Sequence, residues 1–299
     1  MTLRAKDFDF KNTILITHCG CTGGDGPACE ILFRAMGGQK ENVFAHKPST
    51  KEYSDFLLSI KDDERPIIVA DISMSVEEAR MFDKRNDVIL MDHHKTAIPL
   101  IDFDWCEIEK ENKRCGSRMF LDWLRKDFPN MDRYTRLVTY IDDYDRWQWK
   151  YGEATENLHI MYEMMGVKEF VNRFATGDIS LSFEENTQIK FYKKQLQDLI
   201  NKKVEKTFIK EINGHRYGFV FSERYPSQIG NAMLDFHDID AACVVGMLSV
   251  YVRSRNGFDA SQLAKANGGG GHQQASGMPL EKILGESLLS LIINNIDFI

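Results

Sequence analysis

The chain has 299 residues, 43% hydrophobic and 28% charged, with a formal net charge of −7. That length suits two domains of unequal size, each with its own core. The acidic balance argues against coating long nucleic acid, an affinity that rests on many phosphate-neutralising Lys and Arg, but it leaves room for a short phosphorylated substrate held at a cation site.

No stretch approaches the ~18 consecutive apolar residues of a membrane helix. The opening MTLRAKDFDFKN lacks the apolar core and small-residue cleavage site of a signal peptide. The six cysteines, Cys19, Cys21, Cys29, Cys106, Cys115 and Cys243, show no paired spacing, so reduced thiols in a cytoplasmic protein are expected.

Taken in chain order, three short apolar runs come first: Ile14-Leu15-Ile16, Ile67 to Ala70 and Val88 to Met91. Their brevity and β-rich content predict strands buried on both faces of a parallel sheet. Helical stretches around Ala28 to Met36 and Val76 to Lys84 separate them, which predicts a doubly wound α/β domain. Past Lys95 the pattern turns helical, clearest over 118–126 and 133–141. Ser182 and Glu185 form a capping-box pair ahead of a helically spaced series, Ile189, Tyr192, Leu196, Leu199 and Val204. The segment 182–206 therefore reads as a long connector helix between a domain at 1–181 and a smaller α/β domain at 207–299. In the latter, strands are expected over Tyr217 to Phe221, Ala241 to Leu248 and Val250 to Ser254. A Gly-rich loop at 268–271 and a helix around 280–293 follow.

Each early strand runs into polar residues: Ile16 into Thr17-His18, Ala70 into Asp71, Met91 into Asp92-His93-His94. Ligands bind at the carboxyl ends of strands in open α/β sheets. His18, Asp25, Asp71, His93 and one of Asp142, Asp143 or Asp145 are thus expected to converge on a cation. Imidazole with carboxylate suits Mn²⁺, Fe²⁺, Co²⁺ or Zn²⁺ better than Ca²⁺, and such centres hydrolyse phosphate esters. Asp92 is placed to orient an imidazole. In the second domain, Gly268 to Gly271 with His272 suits close approach of an anion to the backbone. Arg253 offers a guanidinium fork and Ser254 a hydroxyl.

The segments THCGCTGGDGPAC, IIVADIS, VILMDHHKTA and YIDDYDRWQW, in that order, resemble the metal-site motifs of the DHH phosphoesterase family. VYVRSRNGFDASQLAKANGGGGHQQASGM resembles the substrate-binding end of the C-terminal domain that accompanies them in RecJ-like nucleases, nanoRNases and cyclic-dinucleotide phosphodiesterases. CGSRMFLDWL resembles the Ser-Gly helix that follows the DHH run. The resemblance implies metal ligation by His18, Asp25, Asp71, His93 and Asp143, with Asp71 as bridge. Asp143 is chosen over Asp142 and Asp145 by the family's Ile-x-Asp pattern, and Asp145 ranks second. His94 is expected to face the phosphate, with Asp92 in support. Arg253, Ser254, Gly269, Gly270, Gly271 and His272 are expected to grip the far end of the substrate.

The implied activity is hydrolysis of short nucleotides (oligoribonucleotides, linear or cyclic dinucleotides, adenosine 3′,5′-bisphosphate) with one or two Mn²⁺ ions. A single-strand DNA exonuclease, a polyphosphate hydrolase and a non-catalytic nucleotide-binding protein are the alternatives. No membrane and no long nucleic acid is expected as partner, and a homodimer is compatible with such a chain. One departure stands out: Cys19 to Gly24 contains no carboxylate where many family members carry an extra Asp, which makes Cys21 the nearest substitute ligand. For the aromatic cluster Tyr140, Tyr144, Trp147 and Trp149, packing beneath the metal site is preferred over stacking a base.

Overall fold

The computed structural model describes residues 3–19, 23–255 and 257–285, with His272 described by its backbone alone. The chain forms two compact units that part between Ile189 and Lys190.

The first unit runs β1 (Ile14–His18), α1 (Asp25–Ala35), β2 (Val43–His46), α2 (Lys51–Ile60), β3 (Ile67–Ala70), α3 (Val76–Phe82), β4 (Val88–Asp92), β5 (Cys106–Ile108), α4 (Gly116–Arg125), α5 (Thr135–Asp145) and α6 (Glu153–Arg173). Helix α7 (Phe183–Glu205) crosses the boundary. All five strands are parallel, in the order β2-β1-β3-β4-β5. Alternation along the strands gives each face its own apolar set. Ile14, Ile16, Ile67, Val69, Val88 and Leu90 pack with Tyr53 and Leu57 of α2 and Phe82 of α3. Leu15, Ile68 and Ile89, also buried, turn to the other face, where α1 and α4 lie against the sheet. The sheet is thus doubly wound.

Local signals set the helix ends. The Ser75 hydroxyl accepts from the Glu78 amide (3.2 Å), and Glu78 Oε2 accepts in return from the Ser75 amide (2.7 Å). Ser182 and Glu185 make the same reciprocal pair at the start of α7 (2.8 and 3.1 Å), which satisfies amides the first turn leaves bare. Helix α6 breaks at Gly166, whose φ of 70° and ψ of 172° are non-helical. Among the described residues no helix is long and apolar enough to cross a membrane.

The second unit contains β6 (Phe208–Ile212), β7 (His215–Phe221), α8 (Pro226–Phe236), β8 (Ala241–Val245), β9 (Ser249–Ser254), α9 (Ala260–Ala266), β10 (Gly270–His272), β11 (Ala275–Pro279) and α10 (Leu280–Leu284). Its strands lie in the order β10-β11-β9-β8-β7-β6, with β7 and β8 parallel and the other pairs antiparallel. Ile229, Met233 and Leu234 of α8 cover one face together with Val204 and Ile200 of α7. Ala260 and Ala264 of α9 cover the other.

Three sequence expectations need adjustment here. The run expected as a strand to Leu248 ends at Val245, because Gly246 N–H bonds Ser249 O (2.8 Å) and turns the chain. The expected 268–271 loop is half strand, since Gly270 and Gly271 pair with β11. The helix expected over 280–293 is seen as α10, and residues beyond 285 lie outside the described set.

Candidate metal centre

The sheet delivers polar residues to one edge. His18 ends β1, Asp71 follows β3, and Asp92 ends β4 with His93 and His94 behind it. Two helix termini complete the rim: Asp25 opens α1 and Asp145 closes α5.

His93 Nε2 lies 3.4 Å from Asp71 Oδ1, 3.4 Å from Asp145 Oδ2 and 3.8 Å from Asp25 Oδ2. Ligand-type atoms of Asp71, Asp92, His93 and His94 fall within 4.8 Å of one another, as do those of Asp25, His93 and Asp145. Asp92 is wholly buried. Its Oδ1 accepts from the His93 amide (2.8 Å) and the His94 amide (3.3 Å), and lies 2.7 Å from His94 Nδ1. One carboxylate therefore holds the backbone of both histidines and the ring of His94.

Asp25 is held differently. Its carboxylate accepts from the Gly116 amide (2.8 Å), the Ser117 amide (2.9 Å) and the Cys115 thiol (3.0 Å). These groups are the N-terminus of α4, where bare amides and the helix dipole favour an anion. The same approach explains Gly116. A Cβ there would stand 2.5 Å from Asp71 Cβ, and Asp71 itself has left-handed backbone, φ 65°.

The electrostatics describe a site crowded with negative charge. Burial, then repulsion from Asp25 and Asp145, drives the Asp71 carboxyl well above its ordinary range. Burial and the Asp25 charge push Asp145 up to about 8. Burial would raise Asp25 too, but His93 and the bonds from Ser117 and Cys115 outweigh it and hold it low. Burial lowers the basicity of His93 against the pull of Asp25. For His94 burial is overcome by the bond and charge of Asp92, and the ring rises to about 9. Cys115 stays a thiol, because burial and the neighbouring Asp25 raise it well above the usual range.

Asp71 Oδ1, Asp92 Oδ2 and His93 Nε2 are buried with no hydrogen-bond partner. An orphaned buried polar atom costs ~1–3 kcal/mol, and three around a cluster of carboxylates fit a divalent cation. Mixed imidazole and carboxylate donors suit a transition metal such as Mn²⁺ or a hard cation such as Mg²⁺.

The structure gathers Asp25, Asp71 and His93, with Asp92 and His94 beside them. His18 stands at the rim, its ring centre 6.3 Å from that of His94. Asp143 is a correction. Its carboxylate points away, accepting from the Thr155 hydroxyl (2.6 Å), the Lys150 amide (2.9 Å) and the Tyr151 amide (3.2 Å). Asp145 takes the place beside His93. Asp142 is engaged by Cys115 N–H (2.7 Å) and by Arg146 (2.5 and 2.9 Å). Cys21 lies outside the described residues. Sequence reading also gave no role to the α4 terminus, Cys115 to Ser117, although CGSRMFLDWL marks it. The two tryptophans expected to pack beneath the centre are 44% (Trp147) and 37% (Trp149) exposed instead.

In the second unit, Arg253 donates to the Ser227 hydroxyl (2.5 Å) and to Val252 O (3.2 Å). Ser254 is buried, and its single hydroxyl proton lies between Phe258 O (2.9 Å) and Gln273 O (3.1 Å), so the hydroxyl is engaged within the unit. A Cβ on Gly269 would collide with Gly277 O, and one on Gly271 (φ 140°) would sit 2.6 Å from Ala275 O, whereas Gly270 faces open space. Two of these glycines thus answer to the neighbouring strand. The His272 side chain is outside the described set.

No family model matches the chain. It is 26% identical over 291 residues to oligoribonuclease NrnB of Bacillus subtilis (strain 168), covering 85% of this chain and 70% of the relative. Among solved structures, the DHH domain of a member of the s1p family of ribosomal proteins superposes with a TM-score of 0.59 at 11% identity, over 97% of this chain and 88% of that one. Exonuclease RecJ bound to manganese superposes with a TM-score of 0.56 at 11% identity, over 95% and 90%.

Proposed function

We infer that this chain, a member of the DHH phosphoesterase family, is a metal-dependent hydrolase of short oligoribonucleotides. The reading is carried by the three orphaned buried atoms, Asp71 Oδ1, Asp92 Oδ2 and His93 Nε2, set among carboxylates at the strand ends. The similarity to an oligoribonuclease supports the substrate class.

We assign the cation to Asp25, Asp71, His93 and Asp145, with His18 completing the rim; Mn²⁺ is the ion we favour, as one or two equivalents. When bound, such a cation neutralises phosphoryl charge and lowers the pKa of nearby water. The protein supplies orientation and a proton donor. Asp92 engages His94 Nδ1, leaving Nε2 of that half-exposed ring to meet a phosphate. Against burial, the bond and charge of Asp92 favour the protonated ring, which can donate to a phosphoryl or leaving-group oxygen. The α4 terminus holds Asp25 ionised and in place.

The test is hydrolysis with Mn²⁺ of a five-nucleotide RNA, a dinucleotide, a cyclic dinucleotide, adenosine 3′,5′-bisphosphate and polyphosphate. Cleavage of the RNA and dinucleotide, abolished by Asp71→Ala and by His93→Ala, is expected. Turnover of polyphosphate alone, or turnover that survives both substitutions, would refute the assignment.

A further inference from the structure

The metal centre leaves one neighbouring feature without a role. Directly after Asp145 the chain enters a loop that displays Trp147 and Trp149 at 44% and 37% exposure. Both have left-handed backbone, φ 56° and 54°, a region bulky residues rarely enter and one that clusters at ligand sites. The loop is fixed in that shape. Trp147 N–H bonds Tyr144 O (2.9 Å) and Gln148 N–H bonds Asp143 O (2.8 Å). The Asp143 carboxylate accepts from the Lys150 and Tyr151 amides beyond.

The rings are set by a support. Tyr144 stacks on His159 with centres 3.6 Å apart and planes at 15°. Each indole lies 5.5 Å from Tyr144, edge to face. The two indoles are 5.1 Å apart and nearly perpendicular, at 81°. A flat ring entering this corner meets the face of one indole and the edge of the other, the geometry aromatic quadrupoles favour. The loop that carries the corner starts at the metal centre, since Trp147 follows Asp145 with one residue between and their Cα atoms are ~7 Å apart at most.

We propose that Trp147 and Trp149 form a base-stacking corner for the nucleoside beside the scissile phosphate. The proposal rests on the nucleotide-hydrolase reading above and deepens it: the corner reads the flat face that every base offers, so it selects nucleotides over bare phosphoesters without selecting sequence.

The test compares a dinucleotide with its abasic analogue, which keeps the same phosphodiester, in Mn²⁺ with the full chain. Trp147→Ala and Trp149→Ala are expected to raise KM for the dinucleotide about tenfold or more and to leave the abasic substrate within about twofold. Trp147→Phe and Trp149→Phe, which keep a ring, should restore most of the loss and control for folding. Equal losses on both substrates, or wild-type protein that cleaves both equally well, would overturn the proposal. Should wild type cleave neither, the hydrolase reading fails, and indole fluorescence still decides the corner. Quenching by adenosine 5′-monophosphate but not by ribose 5-phosphate supports it, and quenching by neither overturns it.

Discussion

Replacing Asp143 and Asp145 separately by alanine should split stability from metal binding. Asp143 is 2% exposed and Thr155 0%, so the 2.6 Å bond between them is a buried, charge-assisted one, worth ~2 kcal/mol net. The Lys150 and Tyr151 amides sit on the exposed loop and can turn to water, adding about 0.5 kcal/mol each. Asp143→Ala should therefore lose about 3 kcal/mol, or ~6–12 °C in Tm for a unit of this size. Asp145→Ala, by contrast, relieves repulsion from Asp25 and should cost little in the metal-free protein. The assay is thermal unfolding in chelator and in Mn²⁺, where saturating ion at about 100 times its Kd adds ~2.7 kcal/mol to wild type. Asp143→Ala should keep that gain from a lowered baseline, and Asp145→Ala should lose the gain from an unchanged one. The opposite pattern, with Asp143→Ala losing only the Mn²⁺ response, would refute the placement of these two side chains.

Two further outcomes follow from the geometry. Gly116→Ala should lower activity about 100-fold or more, because the added methyl must displace Asp71 or the α4 terminus that holds Asp25; near-wild-type turnover would show that the contact relaxes freely. Burial lowers His159 from 6.5 to about 4, so the folded state takes up this proton later than the unfolded state. Its share of stability is intact above pH 6.5 and falls away as pH drops towards 4, by about 2 kcal/mol at pH 5. Urea unfolding of wild type and His159→Leu at pH 7 and pH 5 checks this, since the variant should lose less across that interval.

The strands that carry the centre were legible because they are buried on both faces: β1, β3 and β4 read as unbroken apolar runs ending in charge. The edge strands β2 and β5 were not, because their residues are largely half-buried and leave no such run. The choice among Asp142, Asp143 and Asp145 lay beyond one-dimensional reading. All three fall within one turn of α5, and the rotation of that helix decides which faces inward. Arg146, one turn on, claims Asp142, and Thr155 of the next helix claims Asp143. Arg146 lies in the motif that drew attention to the three but names no partner by itself, and Thr155 lies outside it. The tryptophans misled for a related reason: aromatic residues beside a buried helix usually pack, and only the loop after α5 turns these outward.

The α4 terminus has a consequence for how the centre acquires and releases its ion. Asp25 is anchored by two backbone amides and a thiol, so this ligand keeps its position without a cation. The ordering cost of that arm is settled during folding, not at metal uptake, and the helix dipole already shares part of the carboxylate's charge. A site made this way is a standing receptacle. Protein stripped by chelator should therefore regain activity on mixing with Mn²⁺, with no refolding step between.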